Sequence, residues 1–408
     1  MGFYTHFTLG AAVLSALVAA VMAFCPKPHQ AVGKQRPISS LNVQAADKAT
    51  VSNKKYDQLV ADVIPEFDVM TRWKTDSSFL YRKHAEVISD LEPLAHTMVD
   101  NMLLETGESA WQPQDFLPDL SKEGWQDEIE DVRRQAANIP DDLLVVLVGD
   151  MITEEALPTY QTLLNTFEGC DDPTGTSEGG WARWSRGWTS EENRHGDLLN
   201  KYLYLTGRCD MRSIEVTIQH LITKGFNPDA RKDPYRGFVY TSFQERATKI
   251  SHGNVAKMAA RCGDKNLSKI CAKIASDEGR HERAYQTFVK EILKRDPDGI
   301  IRVFADMMRG QITMPAEQMT DGKDPDLYTS FSGVAQRLDV YTGFDYADIV
   351  EHLINTWDLE NIEGLSGEAE RDREYLCRLP ERYRKLAERS KRRVAEPKQF
   401  SWIFDREA

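Results

Sequence analysis

The amino-acid sequence predicts an all-α protein built around a four-helix bundle, and three observations support this prediction. From about Lys54 onward, apolar residues recur at helical spacing, with little of the alternation that marks strands. A Glu-x-x-His pattern occurs twice, at Glu192 with His195 and at Glu278 with His281. A further carboxylate precedes each copy in its own apolar, helix-like stretch. Four long helices would bring these groups to one centre in the bundle core.

The helix that carries the first carboxylate is predicted to begin at Pro140 and to include both Glu154 and Glu155. Pro158 should kink this helix or end its regular hydrogen bonding, because proline lacks the backbone N–H and clashes with the preceding turn. Spacing alone leaves open which of the two glutamates faces the centre.

The other three helices are predicted from their start and stop signals. Thr189 or Ser190 is the predicted N-cap of the first Glu-x-x-His helix, which Gly207 should end. The remaining two helices are predicted over residues 241–261 and 267–295. The first two helices then form one hairpin and the last two form another, and the repeated ligand pattern relates the two hairpins by an approximate twofold axis.

The chain is predicted to continue past the bundle. The bundle is assigned to residues 51–312, and a C-terminal extension packed on it to residues 313–408. Proline and glycine interrupt the helical periodicity at the start of the extension, before further helical stretches at 346–356 and 367–393. Residues 400–404 are predicted to form a short apolar strand or plug.

Two targeting segments are predicted ahead of the bundle. Residues 1–23 resemble a signal peptide, because the run from Phe7 to Phe24 carries no charge and ends with small residues at signal-peptidase spacing. A membrane anchor is the alternative for a run of this length. Residues 24–50 have transit-peptide composition, with no acidic residue before Asp47. Together they resemble the bipartite leaders of algae with secondary plastids, which predicts delivery to the plastid stroma.

Composition limits the possible partners. A formal net charge of −13 without a long basic tract argues against a nucleic-acid surface. The six cysteines include no Cys-x-x-Cys pair, so zinc or iron–sulfur ligation is not expected. No membrane span is expected in the mature protein.

The doubled pattern predicts a two-metal centre. Residues at i and i+3 of a helix lie about 60° apart and roughly 4.5 Å along its axis, so each Glu shares a face with its His. One such pair is more often an exposed ion pair. Two copies, preceded by Glu154 or Glu155 and by Glu245, favour metal ligands instead. Mixed carboxylate and imidazole ligands suit Fe(2+), and two ions are predicted per chain.

Charged residues next to the ligands are predicted to support them. Glu191 and Asp277 stand directly before the two patterns and can accept an imidazole N–H from outside the metal shell. Arg194 and Arg280, which recur at the same place in both copies, can balance the buried negative charge.

Several functions remain compatible with such a centre. Iron storage would favour a much shorter chain, and a radical-generating reductase subunit would need a suitably placed tyrosine, for which Tyr285 is the candidate. A binding protein without turnover would show no oxygen uptake with reduced ferredoxin. A membrane desaturase would need several apolar spans and clustered histidines, and the sequence contains neither.

Longer stretches of the sequence favour one of these classes of protein over the others. The sequence over nearly all of residues 57–404 resembles the soluble plastid acyl-[acyl-carrier-protein] desaturases, the stearoyl Δ9-desaturase family. The resemblance is carried by residues 148–160, 191–205, 240–248 and 378–380. It implies a ferritin-like di-iron bundle that forms a homodimer. The implied reaction introduces a cis double bond into an acyl chain on acyl carrier protein, using O2 and reduced ferredoxin.

The resemblance also implies roles for individual residues. The implied metal ligands are Glu154 rather than Glu155, Glu192, His195, Glu245, Glu278 and His281. Thr248, one turn after Glu245, is implied beside the O2-binding face. Trp111, Asp277 and His195 resemble a route for electrons from the surface to iron.

Two positions depart from the family pattern. Gly279 stands where the family has a lysine-like residue, and we expect it on the solvent side of its helix, with a weakened partner contact. Phe167 is bulkier than the leucine expected there and is predicted to influence acyl chain length.

Overall fold

The computed structural model describes residues 77–104, 110–391 and 397–408, so the two predicted targeting segments lie outside the described residues. The helices within them are α1 (Ser77–Asp90), α2 (Glu92–Met102), α3 (Trp125–Ala136), α4 (Asp141–Glu155), α5 (Leu157–Leu164), α6 (Gly180–Thr206), α7 (Met211–Lys224), α8 (Pro234–Cys262), α9 (Lys265–Arg295), α10 (Pro297–Gly310), α11 (Leu327–Arg337), α12 (Gly343–Thr356) and α13 (Gly367–Lys391). A two-residue antiparallel ladder joins β1 (Gln399–Phe400) to β2 (Arg406–Glu407).

The ferritin-like bundle is formed by α4, α6, α8 and α9. Helices α8 and α9 pack along each other as one pair, α4 packs against α6, and further contacts join the two pairs. The interior is apolar on both sides of the bundle centre, with Leu143 to Val148 buried on α4 and Phe288 to Ile292 contributing buried residues on α9. The predicted all-α class is confirmed, and in the described part of the chain no helix is both long and apolar enough to cross a membrane.

Proline at position 158 acts as predicted. Helix α4 ends at Glu155, Ala156 leaves the helical conformation, and α5 begins at Leu157 with Pro158 in its first turn. Proline is tolerated there because the first-turn N–H groups have no partner within the helix. The break separates the ligand-bearing helix from the short helix that follows it.

The predicted N-cap of α6 is wrong. The helix begins at Gly180, so Thr189 and Ser190 lie in its interior. Burial of Trp181, Trp184 and Trp188, spaced along one face, extends the helix toward its N-terminus. Gly207 ends the helix as predicted, with φ of 66° in the left-handed region that favours glycine.

The last two bundle helices also begin earlier than predicted. Helix α8 begins at Pro234, where the Asp233 side chain accepts the Tyr235 backbone N–H, and α9 begins at Lys265 after the cap Asp264. Aspartate caps stabilise these starts by satisfying an otherwise unpaired N–H. The added turn of α8 matters because it forms part of the cavity wall described below.

The residues after 313 pack on the bundle. Phe331 of α11 lies against Gly149 of α4, where a Cβ would be only 2.1 Å from the ring. The segment predicted as a short strand or an apolar plug is partly each. Phe400 belongs to strand β1, and Trp402 and Ile403, which follow it in the chain before β2, are fully buried. Trp402 donates its indole N–H to Thr217 Oγ1 at 3.0 Å. The domain boundary at residue 313 stays a prediction.

Candidate metal centre

Six buried side chains converge inside the bundle, and each of the four helices supplies at least one. They are Glu154 on α4, Glu192 and His195 on α6, Glu245 on α8, and Glu278 and His281 on α9. Their ligand atoms form two overlapping sets in which all atoms lie within 4.8 Å of one another. Glu192 and Glu278 belong to both sets, so these two carboxylates stand between two candidate cation positions.

Both imidazoles turn Nδ1 toward the carboxylates. His195 Nδ1 lies 3.1 Å from Glu192 Oε2 and 3.5 Å from Glu278 Oε1. His281 Nδ1 lies 2.8 Å from Glu192 Oε1 and 3.5 Å from Glu245 Oε2. The helical i, i+3 spacing places each His beside the Glu of its own helix, and the packing of α6 on α9 places it beside the other helix's Glu.

Unpaired polar atoms show that these residues fit a metal. Glu192 Oε1, Glu278 Oε1 and His281 Nδ1 are buried and make no hydrogen bond of good geometry, although Glu192 Oε1 and His281 Nδ1 lie only 2.8 Å apart. Buried polar atoms without partners are costly and uncommon in folded proteins. A divalent cation accepts carboxylate oxygen and imidazole nitrogen together, so it would satisfy all three atoms at once.

Charge repulsion points to the same conclusion. Burial raises the pKa of Glu278 well above its usual range, and the nearby Glu192 carboxylate raises it further. Burial also opposes ionisation of Glu192, but attraction and hydrogen bonding to the two histidines lower its pKa to about 2. Burial opposes a charged imidazole, but the surrounding carboxylates raise the pKa of both histidines, so protons and a cation would compete for the same atoms.

The outer ring nitrogens contact acids across the helix pair. His281 Nε2 lies 2.9 Å from Glu191 Oε2, and His195 Nε2 lies 3.5 Å from Asp277 Oδ2. Each acid that precedes one Glu-x-x-His pattern thus contacts the histidine of the other copy. Arg280 Nη2 donates to Glu191 Oε2 at 2.7 Å and forms an ion pair with Asp277 Oδ1 at 2.7 Å, so it balances the charge of both acids.

Trp111 connects the centre to the outer part of the fold. Its indole N–H donates to Asp277 Oδ2 at 2.7 Å, and its ring is parallel to His195 with centroids 6.2 Å apart. The Arg194 guanidinium stacks 5.0 Å over the same indole ring, and its Nη2 lies 4.0 Å from Glu191 Oε1. The structure brings the three residues of the implied electron route together, and their role in electron transfer stays a prediction.

Thr248 and an apolar cavity lie on the other side of the centre. The Thr248 hydroxyl donates to backbone carbonyls one turn back, at 3.2 Å to Gln244 and 3.1 Å to Glu245. The cavity is lined at one end by the carboxylates and Thr248. Its apolar walls include Leu163, Leu164, Phe167, Phe226, Pro228, Ala230, Gly237 and Tyr240.

Phe167 packs at the cavity wall away from the carboxylates. It lies in the turn after α5, is 2% exposed, and rests against Gly237 of α8. A Cβ at Gly237 would be 2.3 Å from the phenyl ring, so the glycine is what makes room for the phenylalanine. Phe167 therefore occupies space that a smaller side chain would leave to a ligand.

Two contacts to the acidic ligands were not predicted. His252 Nε2 lies 2.8 Å from Glu154 Oε1, and Trp188 donates its indole N–H to Glu245 Oε1 at 2.9 Å. Helical spacing carried a signal for both, since Trp188 lies one turn before Glu192 and His252 two turns after Glu245. Both residues are placed to orient the carboxylates that they contact.

The structure separates the adjacent glutamates on α4. Glu154 faces the centre, whereas Glu155 accepts a hydrogen bond from Asn200 Nδ2 at 3.2 Å and lies outside both ligand sets. Helix geometry explains this difference, because successive residues point about 100° apart.

Gly279 is not on the solvent side, contrary to expectation. It is buried beneath Lys249 of α8, whose Cε would lie 3.5 Å from a Cβ at position 279. Lys249 Nζ pairs with Glu282 Oε2 at 2.8 Å. The reason is the close packing of α8 on α9, which lets a lysine from the neighbouring helix cover the glycine.

The helical bundle and its carboxylate–histidine cluster have the arrangement found in bundle proteins that hold two metal ions in the core. The family model described as "Fatty acid desaturase" matches residues 83–404. The chain belongs to this fatty acid desaturase family.

Relatives with curated names support this membership. The chain is 56% identical over 324 residues to the chloroplastic stearoyl-[acyl-carrier-protein] 9-desaturase of Brassica napus, covering 79% of this chain and 81% of the relative. It is 55% identical over 326 residues to the Spinacia oleracea protein of the same name, with the same coverage. The Ricinus communis protein is 57% identical over 306 residues, covering 74% of this chain and 77% of the relative.

Proposed function

We propose that the protein is an acyl-[acyl-carrier-protein] desaturase that introduces a cis double bond, at the Δ9 position, into a saturated acyl chain. The observation that carries this proposal is the apolar cavity whose lining includes the four clustered carboxylates. Such a cavity suits an unbranched hydrocarbon chain lying beside an oxidising centre. The relatives' curated names describe the same activity.

The proposed cofactor is two Fe(2+), held by the six clustered residues. One position would be bounded by Glu154, Glu192, His195 and Glu278, and the other by Glu192, Glu245, Glu278 and His281. Bound iron would supply the chemistry that reduces O2 to two waters, with two electrons from ferredoxin, two protons from solvent and the two hydrogens that leave adjacent carbons of the chain.

The protein's own residues position the substrate and control protons and water. The cavity wall excludes water from the acyl chain and holds it against the cluster. The Thr248 hydroxyl lies where a proton could be held beside the O2-binding face. Asp277 fixes Trp111 and His195 in contact, which supports electron entry from ferredoxin along that path.

A radical-generating reductase subunit is the alternative function. Its candidate tyrosine, Tyr285, is 1% exposed and packs among Trp184, Trp188 and Phe288 one turn from His281. The cavity beside Thr248 and the curated relatives favour desaturation. The two functions differ in product: desaturation yields a monounsaturated acyl chain, whereas radical generation yields a tyrosyl radical signal in electron paramagnetic resonance.

The first prediction is the metal content. The purified protein without its leader should bind two irons per chain, because the two ligand sets share Glu192 and Glu278 and leave buried oxygens unpaired. Iron analysis after anaerobic reconstitution measures this. Glu154→Gln should lower the content, whereas Glu155→Gln, one residue away and outside the cluster, should not. One iron or fewer in the unaltered protein, with zinc preferred, would contradict the proposed centre.

The second prediction concerns chain length. Phe167→Leu should raise the ratio of turnover on 18-carbon over 16-carbon acyl substrate, because a smaller side chain leaves room for more methylenes. Burying each methylene contributes about 0.8 kcal/mol, so two methylenes correspond to a shift of roughly tenfold. Phe404→Leu serves as a control, since Phe404 is 55% exposed and is not among the cavity residues. An unchanged ratio would show that Phe167 only packs.

The third prediction concerns location. The relatives are named as chloroplastic proteins, and we propose a plastid location for this protein, reached through the bipartite leader. A fluorescent fusion to residues 1–50 should reach the plastid of an alga with a secondary plastid. Deleting residues 24–46 while keeping 1–23 should stop the fusion earlier in the route. Plastid delivery of the deleted form would refute the two-part assignment.

The remaining partners belong to the same proposal. Acyl carrier protein would present the chain at the cavity, ferredoxin would supply electrons, and two copies of the chain would form a homodimer. Size measurement of the purified protein by light scattering tests the homodimer directly.

A further inference from the structure

A strained loop forms part of the acyl cavity wall. Residues 227–232, here called the cavity loop, join α7 to α8, and two of them, Pro228 and Ala230, line the cavity. Three residues of this loop adopt the left-handed backbone conformation without being glycine. They are Asp229, Arg231 and Lys232, with φ of 59°, 53° and 59°. Left-handed residues of this kind persist only where surrounding contacts hold them.

In addition to the ion pair between Arg231 and Asp229 at 2.6 Å within the loop, Arg236 supplies contacts from outside it. It lies in the first turn of α8, is 5% exposed, and extends its guanidinium under the cavity loop. Its Nε donates to the Asp229 carbonyl at 2.7 Å, and its Nη2 donates to the Asp229 carboxylate at 2.9 Å. Its Nη1 donates to Asp306 Oδ2 on α10 at 2.6 Å. One planar guanidinium thus ties the loop to two helices, in a geometry that a lysine ammonium cannot reproduce.

The same loop is tied to Phe167. The Glu168 backbone N–H donates to the Lys232 carbonyl at 3.2 Å, so the end of the cavity loop is bonded to the residue after Phe167. Phe167 in turn packs on Gly237, the residue that follows Arg236. A displacement of the loop would therefore move the walls formed by Pro228 and Ala230 and the position of Phe167 together.

We propose that Arg236 is a positioning residue that sets the length of acyl chain the cavity accepts, by holding the cavity loop in its left-handed conformation. The proposal rests on the proposed acyl-chain function of the cavity. Arg236 is not among the cavity-lining residues, so it acts through Pro228, Ala230 and Phe167 and not by touching the chain.

The test compares two substitutions of Arg236 with a matched control. Arg236→Met keeps an unbranched, flexible side chain and removes all three hydrogen bonds. Arg236→Lys keeps the positive charge but not the planar set of N–H donors. Arg302→Met is the control, because Arg302 on α10 forms an ion pair with Glu368 at 3.0 Å and is not a cavity residue. Asp306→Asn weakens only the hydrogen bond from Arg236 Nη1 to position 306, and it serves as a milder variant if Arg236→Met does not fold.

Two readouts are measured on each iron-loaded variant. The first is the ratio of kcat/KM on 18-carbon and 16-carbon acyl substrates, which should move toward the longer chain by threefold or more in Arg236→Met and by less in Arg236→Lys. The kcat on the preferred substrate should stay within about twofold, since the loop does not contact the cluster. The second is hydrogen exchange, which should accelerate at the Glu168 amide in Arg236→Met.

The outcomes separate this inference from the proposed function. If the unaltered protein desaturates neither substrate, the proposed function fails. If it is active and Arg236→Met changes neither the ratio nor the Glu168 exchange, the inference is overturned. It is also overturned if Arg302→Met shifts the ratio as much as Arg236→Met, because the effect would then be one of general stability.

Discussion

Replacing Glu192 or His281 with alanine is expected to abolish turnover while leaving the helical fold in place. Glu192 belongs to both ligand sets, and His281 Nδ1 lies 2.8 Å from it. Loss of either should reduce activity by more than the roughly 10- to 100-fold that typically follows loss of an outer contact to a ligand. Product formation and circular dichroism measured on the same preparation separate lost chemistry from lost structure.

The stability of the metal-free variants gives a second check. Burial and the neighbouring Glu192 raise the pKa of Glu278, so Glu192→Ala removes a source of repulsion. The same change also leaves His195 and His281 without the carboxylate that they pair with, so the metal-free variant should unfold at a lower temperature than the metal-free parent, as is typical when one partner of a buried ion pair is removed. Glu155→Ala is the matched control, and it should retain activity. Full activity in Glu192→Ala would refute the assigned centre.

Trp402→Ala is expected to cause the largest loss of stability. Trp402 is fully buried and packs with centroids 5.7 Å from Phe400 and 6.3 Å from Phe331. Truncating a buried tryptophan leaves a cavity and costs about 3–5 kcal/mol of unfolding free energy. The change also leaves the hydroxyl of Thr217 without its indole donor.

Chemical denaturation of the metal-free protein measures this loss. Phe404→Ala is the control, because its side chain is 55% exposed and its removal should change the unfolding free energy little. A loss below about 1 kcal/mol in Trp402→Ala would show that the C-terminal segment adds little to the stability of the bundle.

The sequence allowed the bundle and its convergent residues to be predicted because helical periodicity and the repeated Glu-x-x-His spacing are local signals. The position of a residue along a helix determines the face on which its side chain lies, so Glu192 and His195, three residues apart, lie on the same face. The choice of Glu154 over Glu155 came from resemblance, and the structure agrees by placing only Glu154 in the cluster.

What the sequence could not supply depends on packing between distant segments. The early start of α6 follows from burial of Trp181 and Trp184, which overrides the capping preference of Thr189. The crossed contacts of Glu191 and Asp277 depend on how α6 packs against α9. The burial of Gly279 beneath Lys249 likewise depends on how α8 packs against α9.

The cavity loop illustrates a different limit. Arg231 and Lys232 are not residues that predict a left-handed backbone, although aspartate adopts it more readily, and no glycine occurs between Phe226 and Arg236. The conformation is supported by the buried Arg236 from outside the loop. Local propensity therefore gave no signal for the part of the cavity wall that we propose controls chain length.

Product analysis tests the central claim most directly. The leader-less protein, loaded with iron, is incubated with stearoyl-[acyl-carrier-protein], O2 and chemically or enzymatically reduced ferredoxin, and the released fatty acid is analysed by gas chromatography with mass spectrometry. The account predicts a cis monounsaturated 18-carbon acid with the double bond at Δ9, formed only when ferredoxin is reduced. Protein that carries two irons and consumes O2 under these conditions but leaves the acyl chain saturated would contradict it.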